Sequence, residues 1–390
     1  MQEKARIAAA IQILDEVYEG RPADKAVSAW GRTHRFAGSK DRRAISAYVY
    51  DILRNCWRLN AVAPDGSARG LMLAHVRGED LAALFDGEGH GPAALSEAEQ
   101  AWAAADVPAL EEAATHNLPD FLFGPLQAQF GDELPAVLAG FEGRAPVDLR
   151  VNVLKTTRDD VVASTGGVAL ELSPHAVRVE GDVNPALLKD GLVEPQDVGS
   201  QHVADKVQVE PGQQVVDFCA GGGGKTLAMA AAMQNKGQIY AYDALAGRMK
   251  ALKKRLERAK VRNAQIHTDY DELKRITEGR AHRVLVDAPC SGTGAWRRNP
   301  ETRWRLDEAT LAKTVALQAE ILDKAAPLVK PGGTLTYVTC SFLAVENDAQ
   351  AQAFLARNKG FEVGEEAPVQ LLPHLNDSDG FYIASFRRKD

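Results

Sequence analysis

The chain is poor in cysteine, with four residues in 390. So few thiols do not make a disulfide framework. None stands in a CxxC pair or a Cys/His spacing that would hold zinc, so no metal site is expected. No run of about 18 apolar residues occurs, which leaves no candidate for a membrane-spanning helix. The stretch MQEKARIAAAIQILDEVYEG is interrupted by Asp15 and Glu16 and has no secretory hydrophobic region. A cytoplasmic protein without a membrane partner is therefore expected. Basic residues are missing from one long stretch: residues 79–142 hold thirteen Asp and Glu and no Lys or Arg. The formal net charge of −7 is thus uneven, and the remainder of the chain carries +6.

That positive charge gathers in three places: GRTHRFAGSKDRRAISAYVYDILRNCWR, GRMKALKKRLERAKVRN and AWRRNPETRWR. A basic helix taken alone is as often a solvated face. Three together, interleaved with Trp57, Trp296 and Trp304, point to a phosphate-rich partner. The 390 residues accommodate two or three domains. The first is helical: Ile7, Ala10, Ile11, Leu14, Val17 and Tyr18 fall at helical spacing. Ile45, Tyr48, Val49, Ile52, Leu53, Cys56 and Trp57 do the same, which assigns Cys56 to the core, with Arg42, Arg43, Arg54 and Arg58 on the opposite face. An acidic, Ala-rich stretch follows. From about residue 146, VDLRVNVLK, DDVVAST and ALELSPHAVRVE read as a small α+β unit. From about 205, strand, glycine loop, helix and strand alternate to the end of the chain, which implies a mostly parallel, doubly wound α/β sheet. In that pattern GRMKALKKRLERA reads as one long basic helix.

The glycine loop is FCAGGGGKT. A nucleoside-triphosphate loop needs glycine where Cys219 stands, and a dinucleotide loop needs glycine where Thr226 stands. Neither pattern is met. Glycines at a helix N-terminus still let a ligand approach the backbone. Asp217 precedes the loop, Asp243 ends the second strand and Asp269 the third. A carboxylate in the position of Asp243 grips ribose hydroxyls, and Asp269 is placed to face an adenine amine. Each Asp alone is as often a helix cap. As a set at successive strand ends, without a phosphate cradle, they suit a cationic nucleoside, and S-adenosylmethionine fits. The expected cofactor-binding residues are Cys219, Ala220, Gly221, Gly222, Gly223, Gly224, Lys225, Asp243, Asp269 and Asp287.

Two cysteines end strand-like runs, in VLVDAPCSGTG at Cys290 and TLTYVTCSF at Cys340. Open α/β sheets place their active sites at such ends. Pro289, Gly292 and Gly294 make the first a turn rather than a core position.

These segments resemble the Sun (Fmu) type RNA cytosine carbon-5 methyltransferases. The likeness rests on DAPCSGTG (287–294), KPGGTLTYVTCS (330–341), CAGGGGKT (219–226), DGFYIASF (379–386), LRVNVLK (149–155) and EPQDVGSQ (194–201). It covers residues 146–390, and the first sixty residues resemble a NusB-type helical RNA-binding domain. Gly221 and Gly222 replace the family's Ala-Pro, and Phe342–Glu346 stands where many members have a proline-glutamate run. The resemblance implies a Rossmann-like class I methyltransferase domain over 205–390. Before it come a helical region over 1–140 and a small α+β module over 141–204, both RNA-binding.

The implied activity is S-adenosylmethionine-dependent formation of 5-methylcytosine, in ribosomal RNA, by a monomer. Carbon 5 of cytosine is a poor nucleophile until a thiolate adds to carbon 6. By resemblance Cys340 is that nucleophile, Cys290 assists product release, and Asp287 stabilises charge at ring nitrogen 3. In the family the strands ending at 287 and 339 are neighbours, so both thiols reach one base. Arg297, Arg298, Arg303 and Arg305 are expected to hold flanking phosphates. Two other readings are a tRNA methyltransferase and a non-catalytic RNA-binding ribosome-assembly protein. The second would need a lost cysteine or a lost Asp243, and neither is lost.

Overall fold

A computed structural model describes residues 1–390. The chain forms two compact units, Met1–Leu138 with Trp296–Glu308, and Ala139–Ala295 with Ala309–Asp390. No helix is long and apolar enough to cross a membrane.

The first unit is helical. Helices Glu3–Tyr18, Ala23–Thr33, Ser39–Arg54 and Ala68–His75 turn their apolar stripes inward. Ile7, Leu14, Val17, Ile45, Val49, Ile52 and Leu53 are all buried, and so is Cys56, whose thiol burial pushes up to about 12. A cysteine so placed is packing, not chemistry.

The segment Trp296–Glu308 begins two residues beyond the SGTG turn in sequence, yet it completes this helical core. Trp296 and Arg303 are buried, with the Arg303 guanidinium 4.3 Å from the Trp296 ring centre. Arg303 donates to the Arg54 carbonyl and Trp57 Nε1 donates to the Arg303 carbonyl, each at 3.3 Å. Arg305 donates to the carbonyls of Val17 and Arg21 at 2.8 and 2.7 Å. Glu301 accepts the Ala23 N–H at 3.2 Å, at the start of a helix whose Pro22 cap supplies no side-chain acceptor. The expectation that Arg303 and Arg305 hold phosphates is therefore corrected. A planar guanidinium satisfies helix-end carbonyls and stacks on indole, which suits it to an interior. Trp57 and Trp304 also pack on each other, with centroids 5.2 Å apart. The basic face proposed around helix Ser39–Arg54 is likewise largely engaged. Arg42 donates to the Ala37 carbonyl, Arg54 pairs with Asp51, and Arg58 donates to the Thr115 carbonyl.

The second unit holds two sheets. The smaller is antiparallel in the order β2-β3-β1-β4, from β1 (Val147–Val151), β2 (Val168–Ala169), β3 (Ala176–Val179) and β4 (Val193–Pro195). The larger uses β5 (Gln214–Asp217), β6 (Gln238–Tyr242), β7 (Ala264–His267), β8 (Ala281–Asp287), β9 (Val329–Thr339), β10 (Phe361–Val363), β11 (Val369–Leu371) and β12 (Phe381–Arg388). Its order is β10-β12-β9-β8-β5-β6-β7, with β11 paired to β12. Strands β5 to β9 run parallel and β12 is antiparallel to β9. This is the doubly wound sheet that the alternating pattern predicts. The order reverses between β5 and β8, which opens a crevice at their carboxyl ends. The expected long basic helix is broken into a 3₁₀ turn, Ala246–Met249, and a helix, Leu252–Ala259. The Leu245 N–H bonds back to Asp243 Oδ1 at 2.8 Å, a local turn that competes with helix before Leu252.

Because Trp296 fills the helical core, Trp296→Ala should destabilise that unit by about 3–5 kcal/mol, the usual cost of emptying a buried aromatic site. Amide exchange in helices Glu3–Tyr18 and Ser39–Arg54 reads it. Unchanged protection would show that the segment merely lies against the unit.

Candidate active site

The glycine loop leaves β5 and enters helix Gly224–Ala232. Gly223 has φ +79°, and a Cβ there would stand 2.1 Å from Leu252 Cδ1, so only glycine fits. At Gly221 a Cβ would meet nothing nearer than Asp243 Oδ2 at 3.9 Å, so the loop's outer side is open above that carboxylate. Arginines anchor the loop from behind. Arg255 donates to the Gly222 carbonyl and Arg150 to the Gly224 carbonyl. Glu194 fixes Arg255 and Arg258 at 2.9 and 2.5 Å. Arg150 on β1 and Glu194 on β4 are cross-strand neighbours. The small sheet thus helps set the shape of the loop, which gives the LRVNVLK and EPQDVGSQ segments their purpose. Neither Arg150 nor Arg255 follows from the motifs. The signal for Arg150 was a charged residue inside a short strand that also carries Asp148.

The acidic residues separate into different roles. Asp243 is buried, and its two oxygens accept the N–H groups of Gly221 at 3.0 Å and Leu245 at 2.8 Å. Each oxygen keeps a lone pair for a ligand hydroxyl. Asp269 is exposed and caps helix Tyr270–Thr277 through the Glu272 N–H at 2.9 Å. Asp217 lies beneath the loop, where its Oδ2 accepts the Thr226 hydroxyl at 2.6 Å and its buried Oδ1 has no partner. Burial, helped by Asp287 and Asp243, pushes the Asp217 carboxyl up to about 7. An open glycine cradle beside carboxylates fits the ribose and cationic chain of S-adenosylmethionine.

The two cysteines meet. Strands β8 and β9 pair in parallel with Asp287 beside Val338, and Cys290 Sγ stands 3.3 Å from Cys340 Sγ. Both sulfurs are half-buried. The hydrogen bond to Cys340, burial and the Glu346 carboxylate all push the Cys290 thiol well up, which keeps Cys290 protonated. Lys225 donates to Asp287 Oδ2 at 2.7 Å. Burial works to lower the Lys225 ammonium, but Asp287 and Cys340 outweigh it and raise it. The cation is therefore retained beside the thiol pair. Cys219, by contrast, is pushed up by burial and by Asp287, Asp217 and Asp243 and is no nucleophile.

A buried carboxylate, missed in the sequence, joins the two cysteine turns. Glu346 is fully buried and accepts the Ser291 N–H at 2.8 Å, the Ser291 hydroxyl and Gln318 Nε2 at 2.9 Å. Gln318 also holds the Pro289 carbonyl at 3.0 Å. Thr293 and Ser341 hydroxyls bond at 3.0 Å, and the Gly294 N–H reaches the Cys340 carbonyl at 3.0 Å. A Cβ on Gly294 would stand 2.1 Å from the Gly380 carbonyl oxygen, and one on Gly380 would stand 2.8 Å from Gly294 Cα, which explains the last glycine of SGTG and the glycine of DGFYIASF. The only sequence sign of Glu346 was an acid near the end of a turn that departs from its usual form.

Two outcomes are expected. The Asp217 carboxyl is raised on folding, so the native chain binds a proton that the unfolded chain releases. Stability should therefore fall as pH rises from about 4 to about 7. Asp217→Asn should flatten that decline in denaturant titrations, and an unaltered slope would contradict the burial argument. Glu346→Ala strands the buried Ser291 N–H. That should cost about 1–3 kcal/mol of stability and slow single-turnover methylation with cofactor affinity unchanged in calorimetry.

The family model described as 16S rRNA methyltransferase RsmB/F matches residues 206–387, and one for the RsmF/B-like ferredoxin-like domain matches 118–184. A probable ribosomal RNA small subunit methyltransferase B from Synechocystis is 34% identical over 300 residues, covering 70% of this chain and 67% of its own. The Yersinia enterocolitica ribosomal RNA small subunit methyltransferase B is 32% identical, covering 73% and 70%. Among solved structures, PH0851 shares the fold over 100% of this chain and 99% of its own, with a TM-score of 0.83 at 24% identity. A methyltransferase homologue from Pyrococcus horikoshii covers 71% and 97%, with a TM-score of 0.62 at 25% identity. With its thiol pair, its glycine cradle and these relatives, the chain belongs to the RsmB/F family and is an RNA methyltransferase that uses S-adenosylmethionine.

Proposed function

We propose that the protein forms 5-methylcytosine in the RNA of the small ribosomal subunit through a covalent Cys340–cytosine intermediate. The observation that carries this reading is the thiol pair, 3.3 Å apart with the proton held on Cys290. The relatives are named for small-subunit ribosomal RNA, which supports that substrate over tRNA. We further propose that residues 1–140 and 141–204 bind RNA, that 205–390 carry the chemistry, and that the enzyme acts as a cytoplasmic monomer.

Cys340, beside the Lys225 ammonium, adds to carbon 6 of the base. Electron density moves toward ring nitrogen 3, where Asp287 and its bound Lys225 proton stabilise it. Bound S-adenosylmethionine supplies an electrophilic methyl group, which the activated carbon 5 accepts. Asp243 and the backbone of residues 219–224 would hold that cofactor, with Asp269 toward its adenine. Once the Cys340 sulfur is a thioether, it no longer pairs with Cys290 as a thiol or thiolate partner. Cys290 then gives its proton to water and, as thiolate, takes the carbon-5 proton; the freed electron pair restores the ring double bond and Cys340 leaves as thiolate. The thiol that stays protonated at the outset is thus the one freed for the last step. The target base must be unpaired or turned out of its stack to reach the sulfurs.

Cys340→Ala should abolish methylation without trapping RNA. Cys290→Ala should transfer methyl and then stall, leaving a protein–RNA complex that survives denaturing electrophoresis. Adducts with Cys340→Ala and not with Cys290→Ala would reverse the assignment. Asp243→Ala should weaken cofactor binding by about 1.5–3 kcal/mol, the range for a hydrogen bond to a charged group. Unchanged calorimetric affinity would remove Asp243 from the site.

A further inference from the structure

In the helical unit, a short turn joins helices Ala23–Thr33 and Ser39–Arg54. Its sequence is HRFAGSK from His34 to Lys40. Phe36, within it, is 75% exposed, the highest exposure of any large apolar side chain in the chain. Nothing in the packing of the unit accounts for a phenylalanine there. The turn itself is well held: the Trp30 and His34 rings stack at 4.2 Å and 8°, and His34 Nδ1 lies 2.9 Å from the Trp30 carbonyl oxygen. Phe36 meets His34 edge-on at 5.8 Å. These rings wall one side of an open groove of about 570 Å³. Its floor is a row of small residues, Ala5, Ala8 and Ala9, with Gln12 alongside.

Charge decides between occupants. Arg35, next to Phe36 in the turn, and Lys40 and Arg43, at the start of the helix that follows it, are all exposed. Asp41, the acid in their midst, is already taken by Arg6 at 2.9 Å. An apolar protein surface would meet three exposed cations at this rim. A polyanion whose units carry flat faces meets none of that cost. Aromatic platforms flanked by cations are the general means of holding single-stranded nucleic acid, because every base has a face to stack and a phosphate to neutralise.

We propose that the exposed Phe36 ring, set edge-on against His34, which itself stacks on the buried Trp30, forms a subsite for an unpaired RNA nucleotide, with Arg35, Lys40 and Arg43 holding its flanking phosphates. This rests on the reading that the enzyme acts on RNA, and it names where the helical unit engages it. The subsite reads stacking rather than sequence, so it anchors a single-stranded stretch near the target and leaves the choice of cytosine to the catalytic unit.

The test uses the full chain and a fluorescent single-stranded adenosine decamer, which contains no target base. Phe36→Ala should weaken binding by about tenfold, as expected for one lost base stack, while Phe36→Trp should restore it. Replacing Arg35, Lys40 and Arg43 together with Ala should reduce the slope of log affinity against log salt by about 2. Phe36→Ala should leave that slope unchanged. Phe36 is exposed, so its variants should fold, and circular dichroism checks this. Equal affinity of Phe36→Ala and the native chain would overturn the proposal. So would a change from dimer to monomer in sedimentation on Phe36→Ala, since the patch would then serve a second copy. Methylation of ribosomal RNA by the native chain is scored separately. Failure there would sink the proposed function, whereas intact methylation with unaltered decamer binding would sink only this subsite.

Discussion

Two sulfur atoms 3.3 Å apart set the requirements that the catalytic unit meets. Side chains on turns do not hold that spacing unaided. Parallel pairing of β8 and β9 brings the strand ends together, and the buried Glu346 carboxylate then fixes one turn to the other. A buried carboxylate with three donors is costly to disturb, because each donor it leaves is stranded away from water. The same network places a negative charge near Cys290, which helps keep that thiol protonated. Packing and reactivity therefore have one cause. The sulfur nearer Lys225 is available as the nucleophile, and the sulfur nearer Glu346 is held in reserve.

The cofactor side is built in the same way, from buried charge. Arg150 and Arg255 grip carbonyls of the glycine loop, and Glu194 holds Arg255 in place. The small antiparallel sheet is thereby tied into the shape of the cradle. A change in β1 or β4 should therefore be felt at Gly222 and Gly224. In the helical unit, Trp296 and Arg303 show a related economy of parts. A stretch that follows the Cys290 turn in sequence fills the interior of a different unit.

Much of this was legible in the sequence because it depends on local rules. The doubly wound sheet followed from alternating periodicity, and the cysteine turns from proline and glycine beside strand ends. Cys56 was assignable to packing from its place on a helical stripe. What misled was charge. AWRRNPETRWR reads as a phosphate-binding run, yet Arg303 and Arg305 point into the protein and hold carbonyls. Composition cannot distinguish an arginine that faces water from one that closes a helix end, since the partner carbonyls lie more than 240 residues away. The basic helix around Leu252 was misjudged for a smaller reason, a side-chain-to-backbone bond from Asp243. Glu346, Gln318 and Arg255 were invisible because their partners come together only when distant strands pair.

The division of labour between the two thiols is the centre of this account. The native enzyme can be offered RNA in which cytosine carries fluorine at carbon 5, so that no proton can leave and the methylated adduct persists. Mass spectrometry of the digested complex then shows which peptide bears the nucleotide. The account predicts attachment to Cys340, in the peptide containing VTCSF, with Cys290 unmodified. A nucleotide on Cys290 would contradict it.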